Sequence, residues 1–569
     1  MSLLPHQLST LIRAGIIAAQ TAGVLPSFAI PDVRIERPKR PEMGDYASAV
    51  ALQVTKLAGK PPLEIATIIV AHLPPSELVS AAEVAPPGFV NLRLSEVWVA
   101  AQVDYLLGAG ERAFTTSDGA GKTAQVEYVS ANPTGPLSVH RIRGGVLGDT
   151  LANLLETQGY SVTREYYFND AGQQMNKLGE SIRARYLELL GEPIVYPEGG
   201  YKGLYIRMLA AALLALKGDS LRDAPLDDFR QFGARAIIER IKHSMHRVNI
   251  RHNSFFNESS LYTEGAVQET IEALRERGYA YEQDGAVFFK SSALGDEKDR
   301  VIVKRTGEPT YRLPDIAYHK NKLDRGFDLI VDVFGADHAA TAPQVLLGVR
   351  ALGYDPSVVR TIIHQMVELV EGGETRRMST RRGDFVELDE LLDDVGADAV
   401  RYFMLAQSPN TSMNFDLDLA RSQGDENAVY RIQSAHVRCA GILRKAAEKG
   451  LTIEGADLNH LGAEERAFLR KVIEIPERIA IAISEMAPQR VAFFALELAG
   501  AFHPLYDNVR VLSEQEDLSS AVQKARLRFY AAVKVVFARL LSLMGMSAPE
   551  VMERRETKNQ TAPTPEGEE

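Results

Sequence analysis

The sequence predicts an α/β protein with several domains, built on a parallel β-sheet with helices on its faces. The central observation is an apolar strand over Thr123 to Val129, followed by a turn, a helix and a second strand over Val162 to Phe168. Strand, helix and strand in this order form a βαβ unit, whose strands run parallel. Apolar strands over Leu329 to Phe334 and Thr361 to His364 continue the sheet. After about residue 397 the apolar residues recur three and four positions apart, which predicts helices.

The length of 569 residues exceeds what one hydrophobic core accommodates and suggests about three domains. The N-terminal region mixes helical periodicity with short strands such as Phe89 to Leu94, which predicts an α+β domain. A mostly helical stretch interrupts the strands of the central region, as an inserted domain would. The predicted boundaries are 1–118 for the N-terminal domain, 119–396 for the central domain with an insertion at about 172–294, 397–553 for the helical domain, and 554–569 for a polar, disordered tail.

The composition, 45% hydrophobic and 24% charged residues, is that of an ordinary globular protein. The single cysteine, Cys439, excludes intramolecular disulfides and a Cys-based zinc site, and we expect it to be a buried apolar residue. No run of about twenty apolar residues predicts a membrane-spanning helix. Gln20 and Thr21 interrupt the apolar stretch from Gly15 to Ala19, which favours an amphipathic helix over a signal peptide. We therefore expect a cytoplasmic protein, whose net charge of −11 leaves room for a local basic surface.

The turn after the first strand of the βαβ unit carries the most specific motif. In an open parallel sheet, ligands bind beyond the carboxyl ends of the strands, so nucleotide phosphates are expected at this turn. The segment from Val126 to Gly145 reads VEYVSANPTGPLSVHRIRGG, and the segment from Arg164 to Gly172 follows it. Both segments resemble the opening of the catalytic domain of arginyl-tRNA synthetases, which are class I aminoacyl-tRNA synthetases.

The resemblance extends over nearly the whole chain. Glu42 to Tyr46 and Pro87 to Asn91 match the family's N-terminal additional domain. Tyr311 to His319 and Gly335 to His338 match later parts of the catalytic domain, and Phe502 to Asp507 matches the anticodon-binding domain. The order and spacing of these matches make the resemblance specific. It implies a Rossmann-type catalytic domain with an inserted domain, an α+β N-terminal domain and an all-α C-terminal anticodon-binding domain.

The resemblance also implies a function, which is the ATP-dependent activation of L-arginine and its transfer to the 3′ end of tRNA(Arg). ATP is then a substrate, Mg2+ shares the phosphate charge, and no zinc is required. The expected partners are tRNA(Arg), L-arginine and ATP, and the expected assembly is a monomer. Two alternatives are a synthetase-derived tRNA-binding protein without activity and an enzyme that activates arginine for another acceptor. The matched anticodon-binding domain argues against the second alternative.

The resemblance implies four residues for the arginine-binding site. Arginine is a planar cation with a fork of hydrogen-bond donors, so its recognition requires carboxylates. By resemblance, Glu127 and Asn132 hold the α-amino end of the substrate. Tyr311 and Asp315 close around the guanidinium, with Asp315 as its ion partner. Taken singly, Glu127 could be a charge at a strand edge and Tyr311 a packing residue, but four matches in register favour the binding site.

ATP is expected to lie between two motifs. The first is the turn at 138–143, and the second, Arg376 to Gly383, stands at the position of the family's KMSK loop, whose cations stabilise charge on the ATP phosphates. The implied catalytic residues are Ser138, His140, Arg141, Arg381 and Arg382. The implied ATP-binding residues are Pro133, Gly135, Ser138, Arg141, Arg143, Gly144, Gly335, Asp337, His338, Met378 and Ser379.

The first motif departs from the family pattern. Where the family has His-Val-Gly-His, this chain has Ser138, Val139, His140 and Arg141. Three interpretations are open: Arg141 stabilises the phosphates instead, the chain is an inactive or weak enzyme that still binds tRNA or arginine, or the segment carries a sequence error or an engineered change. Removing one preorganised transition-state donor costs about 100- to 1000-fold in rate. The intact arginine pocket, basic loop and tRNA-binding domains favour the first interpretation, in which His140 must turn away from the adenine base.

Four residues near the C-terminus are candidates for contacts with tRNA. Unpaired bases are recognised by stacking on aromatic side chains and by hydrogen bonds to their edges. The candidates are Tyr506, Asn508, Arg510 and Tyr530. Each of them could instead be a packing or surface residue.

Overall fold

The computed structural model of the chain describes residues 3–376, 386–512 and 519–552. The predicted catalytic residues Arg381 and Arg382 and the predicted ATP-binding residues Met378 and Ser379 lie outside the described residues, as does the tail predicted at 554–569. Within the described ranges, no helix has the length and apolar character that crossing a membrane requires.

The N-terminal region combines helices with a small antiparallel sheet. Its elements are α1 (Leu4–Thr21), β1 (Tyr46–Ser48), α2 (Val50–Gln53), α3 (Thr55–Ala58), α4 (Pro62–Ala71), β2 (Val79–Ala85), β3 (Phe89–Leu94) and α5 (Glu96–Ala109). The strands lie in the order β1-β3-β2. Leu8, Ile12 and Ile16 of α1 are fully buried, and their four-residue spacing places them on one face of the helix. The apolar stretch from Gly15 to Ala19 is therefore part of an amphipathic helix, as predicted.

The central region alternates strands and helices. Its first part consists of β4 (Thr123–Glu127), α6 (Val139–Thr157), β5 (Ser161–Phe168), α7 (Gln173–Leu189), α8 (Leu204–Lys217), α9 (Leu226–Arg247), β6 (Ser254–Asn257), α10 (Glu258–Thr263) and α11 (Ala266–Glu276). Its second part consists of β7 (Ala280–Gln283), β8 (Ala286–Phe289), β9 (Arg300–Val303), α12 (Arg312–Asp324), β10 (Leu329–Gly335), α13 (Ala342–Ala351), β11 (Val359–His364), β12 (Val367–Glu371), β13 (Glu374–Arg376), α14 (Leu388–Val395), α15 (Ala397–Leu405), β14 (Met413–Asp416) and α16 (Leu417–Arg421).

Five strands of this region form a parallel sheet in the order β11-β10-β4-β5-β6. The chain leaves the middle strand β4 for β5 and β6 on one side, and it later forms β10 and β11 on the other side. The strand order therefore reverses at β4. A crevice opens at such a reversal beyond the carboxyl ends of the strands, and ligands of open α/β sheets bind there. The predicted α/β fold with a parallel sheet is confirmed.

The insertion predicted at about 172–294 is only partly helical. Helices α7, α8 and α9 fill its first part, but β6 then joins the main sheet beside β5. Strand β8 pairs with β7 on one side and with β9 on the other in a separate antiparallel sheet. Because β6 is a four-residue edge strand with partly exposed side chains, it leaves little apolar signal in the sequence. The predicted range therefore includes one strand of the main sheet.

The C-terminal region is helical, as the periodicity predicts. It consists of α17 (Ala428–Glu448), α18 (Ala463–Val472), α19 (Ile475–Ser484), α20 (Gln489–Asn508) and α21 (Ser520–Leu543). Cys439 of α17 is fully buried among apolar side chains, and burial raises the pKa of its thiol. The prediction that Cys439 is a buried apolar residue is confirmed.

Candidate active site

The turn between β4 and α6 forms one wall of the crevice. It begins with two non-glycine residues in the left-handed region, Val129 at φ 69° and Ser130 at φ 38°. This conformation is strained for a β-branched residue and requires support from its surroundings. The Ser130 hydroxyl donates to Glu127 Oε1 at 2.8 Å and accepts a hydrogen bond from the Tyr167 amide at 3.2 Å. These bonds tie the turn to the Glu127 carboxylate at the end of β4.

An acidic pocket, defined by Glu127, Asp315 of α12 and Glu258 of α10, lies in the crevice. Glu127 and Glu258 are only 3% and 7% exposed. Burial, together with the charges of Glu258 and Glu127, raises the pKa of Asp315 to about 7, although the positive charges of His319 and Lys322 oppose the rise. Glu127 and Glu258 are therefore both close enough to Asp315 to repel its charged form. A pocket with this excess of negative charge suits a cationic ligand.

Glu258 is a candidate site residue that the sequence reasoning missed. It is the first residue of α10 and directly follows β6, so it stands at the carboxyl end of a strand of the main sheet. Burial and the charges of Glu258 and Asp315 raise the pKa of Tyr167, which places this tyrosine at the same pocket. The position after a strand is the signal that could have identified Glu258, but β6 itself was not predicted.

The other two predicted arginine-binding residues lie at the rim of the acidic pocket. Asn132 Nδ2 donates to Gln174 Oε1 at 2.8 Å. Tyr311 immediately precedes α12, one helical turn before Asp315, and its side chain is 77% exposed. The structure therefore brings Glu127 and Asp315 together, whereas the ring of Tyr311 does not cover them.

The Ser138 to Arg141 motif is joined through the backbone to the residues that follow the predicted basic loop. Ser138 pairs with Glu387 in an isolated β-bridge, and the Leu388 amide donates to the Leu137 carbonyl at 2.8 Å. Two segments that are about 250 positions apart thus meet at the start of α6. The predicted ATP site is framed by this junction, as far as the described residues extend.

Arg141 supplies the positive charge of this motif. Its side chain is partly buried, and its guanidinium makes no hydrogen bond or ion pair with another described residue. Burial lowers the pKa of His140, with a further contribution from the charge of Arg141, so the imidazole is neutral at pH 7. Within the described ranges, the buried His140 Nδ1 also lacks a hydrogen-bond partner. A cation at the N-terminus of a helix favours the binding of an anion.

Arg143 does not fit its predicted contact with ATP. Its side chain is fully buried, and its guanidinium donates to the carbonyl oxygens of Gln365 at 2.9 Å, Thr411 at 2.8 Å and Ser408 at 2.8 Å. Three of its five N–H donors are therefore used, and the guanidinium has no exposed surface through which it could meet a phosphate. This geometry contradicts the prediction and makes Arg143 a brace between α6 and the segments around β12 and β14.

Two of the predicted ATP-binding glycines lie against His364 at the end of β11. A Cβ atom on Gly144 would lie 2.8 Å from His364 Nε2, so only glycine lets α6 pack this closely. A Cβ atom on Gly335 would lie 2.6 Å from Asp337 Oδ1 and 3.9 Å from His364 Cε1. Burial lowers the pKa of His364 to about 4, so this imidazole is neutral. The sequence predicts His364 only as the last residue of a strand, not as a site residue.

The remaining predicted ATP-binding residues line the rim of the crevice. Pro133 and Gly135 belong to the turn before α6, where the Tyr205 hydroxyl of α8 donates to the Thr134 carbonyl at 2.8 Å. The side chains of Asp337 and His338 are largely open to solvent. His338 stacks on Phe334 with 5.1 Å between the ring centroids.

Three of the four tRNA candidates are accessible. Asn508 and Arg510 are exposed at the end of α20, and Tyr506 is half-buried with the Arg438 guanidinium 4.9 Å from its ring centroid. Tyr530 is fully buried, and its hydroxyl donates to the Val509 carbonyl at 2.9 Å. The structure therefore contradicts the predicted tRNA contact of Tyr530, because its ring is a core side chain.

Comparison with protein families identifies three matching segments. The family model described as tRNA synthetases class I (R), catalytic domain, matches residues 102–416. The model of the DALR anticodon binding domain matches 432–552, and the model of the arginyl tRNA synthetase N terminal domain matches 6–94.

Individual relatives match nearly the full length. The arginine–tRNA ligase of Carboxydothermus hydrogenoformans is 43% identical over 543 residues, which cover 94% of this chain and 97% of that protein. The arginine–tRNA ligase of Salinibacter ruber is 43% identical over 549 residues, covering 92% and 97%. The structure of Thermus thermophilus arginyl-tRNA synthetase has a TM-score of 0.74 at 22% identity, covering 97% of this chain and all of that one, and thus shares the fold.

The parallel sheet, the crevice at its strand reversal and the helical C-terminal region are those of a class I aminoacyl-tRNA synthetase. Within this class, the chain belongs to the arginyl-tRNA synthetase family. The family predicted from the sequence motifs is confirmed.

Replacing Arg143 with Met should destabilise the protein and leave ATP binding nearly unchanged. The carbonyls of residues 365, 408 and 411 would lose their donor, and an unsatisfied buried group costs about 1–3 kcal/mol. We expect the free energy of unfolding in urea to fall by about 3 kcal/mol or more, with the KM for ATP of the folded enzyme within about twofold. Arg350→Met, an exposed arginine on α13, is the control. If Arg143→Met has normal stability and a strongly raised KM for ATP, then Arg143 contacts ATP and the structural role is wrong.

Proposed function

We propose that this chain is a catalytically active arginine–tRNA ligase, which uses ATP to activate L-arginine and transfers it to the 3′ end of tRNA(Arg). The observation that carries the proposal is the acidic pocket of Glu127, Asp315 and Glu258 at one end of the sheet, together with Arg141 at the start of α6, which has no ion-pair partner among the described residues. The pocket supplies the negative charge that arginine requires, and the cation supplies the positive charge that ATP requires. Membership of the arginyl-tRNA synthetase family supports both assignments.

In the proposed complex, the guanidinium of arginine binds Asp315 and Glu258. A planar guanidinium donates two parallel hydrogen bonds to a carboxylate, and no other amino-acid side chain matches this geometry. The α-ammonium group binds Glu127, with Asn132 holding the adjacent end of the substrate. Tyr311, which is exposed in the ligand-free structure, covers the side chain of the bound substrate. The pocket thereby selects for a substrate with two cationic groups.

ATP is proposed to lie across the junction of the two motifs. Pro133, Gly135, Gly144, Gly335, Asp337 and His338 line the nucleotide, Ser138 donates one hydrogen bond to it, and Arg141 faces its phosphates. The basic loop with Met378, Ser379, Arg381 and Arg382 contributes further positive charge and remains a prediction. Mg2+ keeps most of its water shell and binds nucleotide phosphates with few protein ligands. It would therefore enter with ATP.

The reaction proceeds in two proposed steps. An oxygen of the arginine carboxylate attacks the α-phosphorus of ATP, and the bond to pyrophosphate breaks. The terminal ribose hydroxyl of tRNA then attacks the carbonyl carbon of the adenylate, and AMP leaves. Positioning and electrostatic stabilisation provide the acceleration, because little covalent chemistry falls to the side chains. Arg141 stabilises the charge that develops on the phosphates in the first step.

The altered first motif is compatible with this chemistry. The two missing histidines would each have donated to phosphates, and losing such a donor without replacement costs about 100- to 1000-fold. An arginine donates charge-assisted hydrogen bonds and stays protonated throughout the physiological range. His140 takes the place of a family glycine, but its imidazole is partly buried near the Val367 backbone. The adenine base can therefore approach the turn from the opposite side.

The end of α20 supplies the proposed contacts for tRNA. The exposed Asn508 and Arg510, with the half-buried Tyr506, are the proposed contacts for the anticodon loop, because they combine an aromatic face, an amide and a cation. By family resemblance, we propose a monomer that acts in the cytoplasm.

Replacing Arg141 with Ala should lower the rate of tRNA charging by about 100- to 1000-fold, because the cation facing the phosphates is lost. Arg141→Lys keeps the charge but not the two-pronged geometry, and it should lose less. The measurement is aminoacylation of tRNA(Arg) with radiolabelled arginine and ATP, with Arg350→Ala as the control. If the unmodified protein binds tRNA(Arg) but does not charge it, the chain is a synthetase-derived binding protein and the mechanism is wrong.

Replacing Asp315 with Asn should raise the KM for arginine by about 10- to 100-fold, because a hydrogen bond to a charged group contributes about 1.5–3 kcal/mol. The KM for ATP should stay within about twofold. Asp324→Asn, an exposed aspartate at the other end of α12, is the matched control and should change neither constant. Arginine affinity that is unchanged in Asp315→Asn would refute the assignment.

A further inference from the structure

Lys322 is a buried charge to which the proposed reaction assigns no role. Its side chain on α12 has no exposed surface, which is rare for lysine unless it is paired. The ammonium donates to Glu127 Oε2 and to Asp332 Oδ1, both at 2.5 Å. These two acceptors are register partners on the adjacent parallel strands β4 and β10. One lysine therefore bridges two carboxylates that lie side by side in the sheet.

The ion pair of Lys322 with Asp332 favours the charged forms of both partners. Burial alone would lower the pKa of Lys322, but Asp332 and Glu127 outweigh it and raise the pKa. Burial would likewise raise the pKa of Asp332, whereas Lys322 and His319 together lower it well below its usual range. The bridge of one ammonium and two carboxylates thus carries one net negative charge.

The bridge also fixes the direction of the Glu127 side chain. Glu127 Oε2 accepts from Lys322, and Oε1 accepts from the Ser130 hydroxyl in the strained turn. A carboxylate has about four lone-pair sites, so each oxygen can accept one more donor. Since Lys322 is fully buried, it cannot reach a substrate and can act only through the carboxylates that it holds.

We propose that Lys322 is a positioning residue for arginine binding, which holds the Glu127 carboxylate in the orientation that accepts the α-ammonium group of the substrate. The proposal rests on the arginine site proposed above. Without the lysine, Glu127 Oε2 would lose its donor and would lie beside the Asp332 carboxylate of the neighbouring strand, so like-charge repulsion would turn the side chain away. A displaced Glu127 would no longer present its oxygens to an ammonium group.

The competing explanation is that Lys322 only compensates the burial of two carboxylates and so stabilises the fold. Breaking a buried ion pair by removing one partner is strongly destabilising. Loss of stability in Lys322→Met is therefore expected under both explanations and decides nothing by itself. The two explanations differ in what happens to arginine binding once the stability is restored.

The test measures thermal stability and the KM values for arginine and ATP in four variants of the full chain. Lys322→Met should raise the KM for arginine at least tenfold, with the KM for ATP within twofold. Lys322→Met combined with Asp332→Asn removes one cation and one anion, so it should recover stability while the KM for arginine stays raised. Asp332→Asn alone keeps the pair between Lys322 and Glu127, and its KM for arginine should be near normal.

The results distinguish a failure of the positioning role of Lys322 from a failure of the proposed arginine site. A normal KM for arginine in the double variant would overturn the positioning role and leave Lys322 a purely structural residue. Glu127→Gln tests the arginine site itself and should raise the KM for arginine at least tenfold. If Glu127→Gln has a normal KM, the proposed arginine site fails, whatever the lysine variants do. The double variant keeps the test available if Lys322→Met alone does not fold.

Discussion

The charge balance at the adjoining ends of β4 and β10 constrains the catalytic half of the molecule. Buried carboxylates are costly unless a cation or a hydrogen-bond donor accompanies them. Lys322 bridges Glu127 and Asp332, and the turn after β4 is in turn tied to Glu127 through Ser130. Burial, together with the charges of Glu258 and Glu127, raises the pKa of Asp315 to about 7. The pocket thus favours a cationic ligand such as arginine.

The nucleotide side of the crevice depends on contacts between distant segments. The turn before α6 bonds through its backbone to residues 386–388, and α9 of the inserted region reaches the same place. Arg240 of α9 pairs with Glu387 at 2.6 Å, and Arg247 pairs with Asp389 at 2.8 Å. Ion pairs therefore connect α9 to the segment after the basic loop, and backbone hydrogen bonds connect that segment to the turn before α6. Arg141 stands at this junction, where ATP phosphates are proposed to bind, and its guanidinium has no hydrogen-bond or ion-pair partner in the ranges that the structure describes.

Four of the five strands of the main sheet, the helical C-terminal region and the family could be predicted from the sequence, because long apolar patterns and ordered motifs carry that information. The directions in which individual side chains point could not be predicted from the sequence. Arg141 and Arg143 both belong to the first turns of α6, but successive helical residues are rotated by about 100°, so the two arginines point to different sides. Arg141 is proposed to face the crevice. The Arg143 guanidinium instead donates hydrogen bonds to three carbonyl oxygens. Glu258 was missed for a related reason, since the short edge strand before it lacks a clear apolar pattern.

The central claim is that the pocket binds arginine by charge, with Asp315 as the carboxylate that must ionise. The most direct test is calorimetric titration of the protein with arginine in buffers of different ionisation enthalpy, which counts the protons exchanged on binding. With a pKa of about 7, Asp315 is half protonated at pH 7, and the incoming guanidinium favours its ionised form. The account predicts that binding releases about half a proton at pH 7 and nearly none at pH 8, where the α-ammonium group of arginine is still charged. Binding without proton release at pH 7, or with the same release in Asp315→Asn, would contradict it.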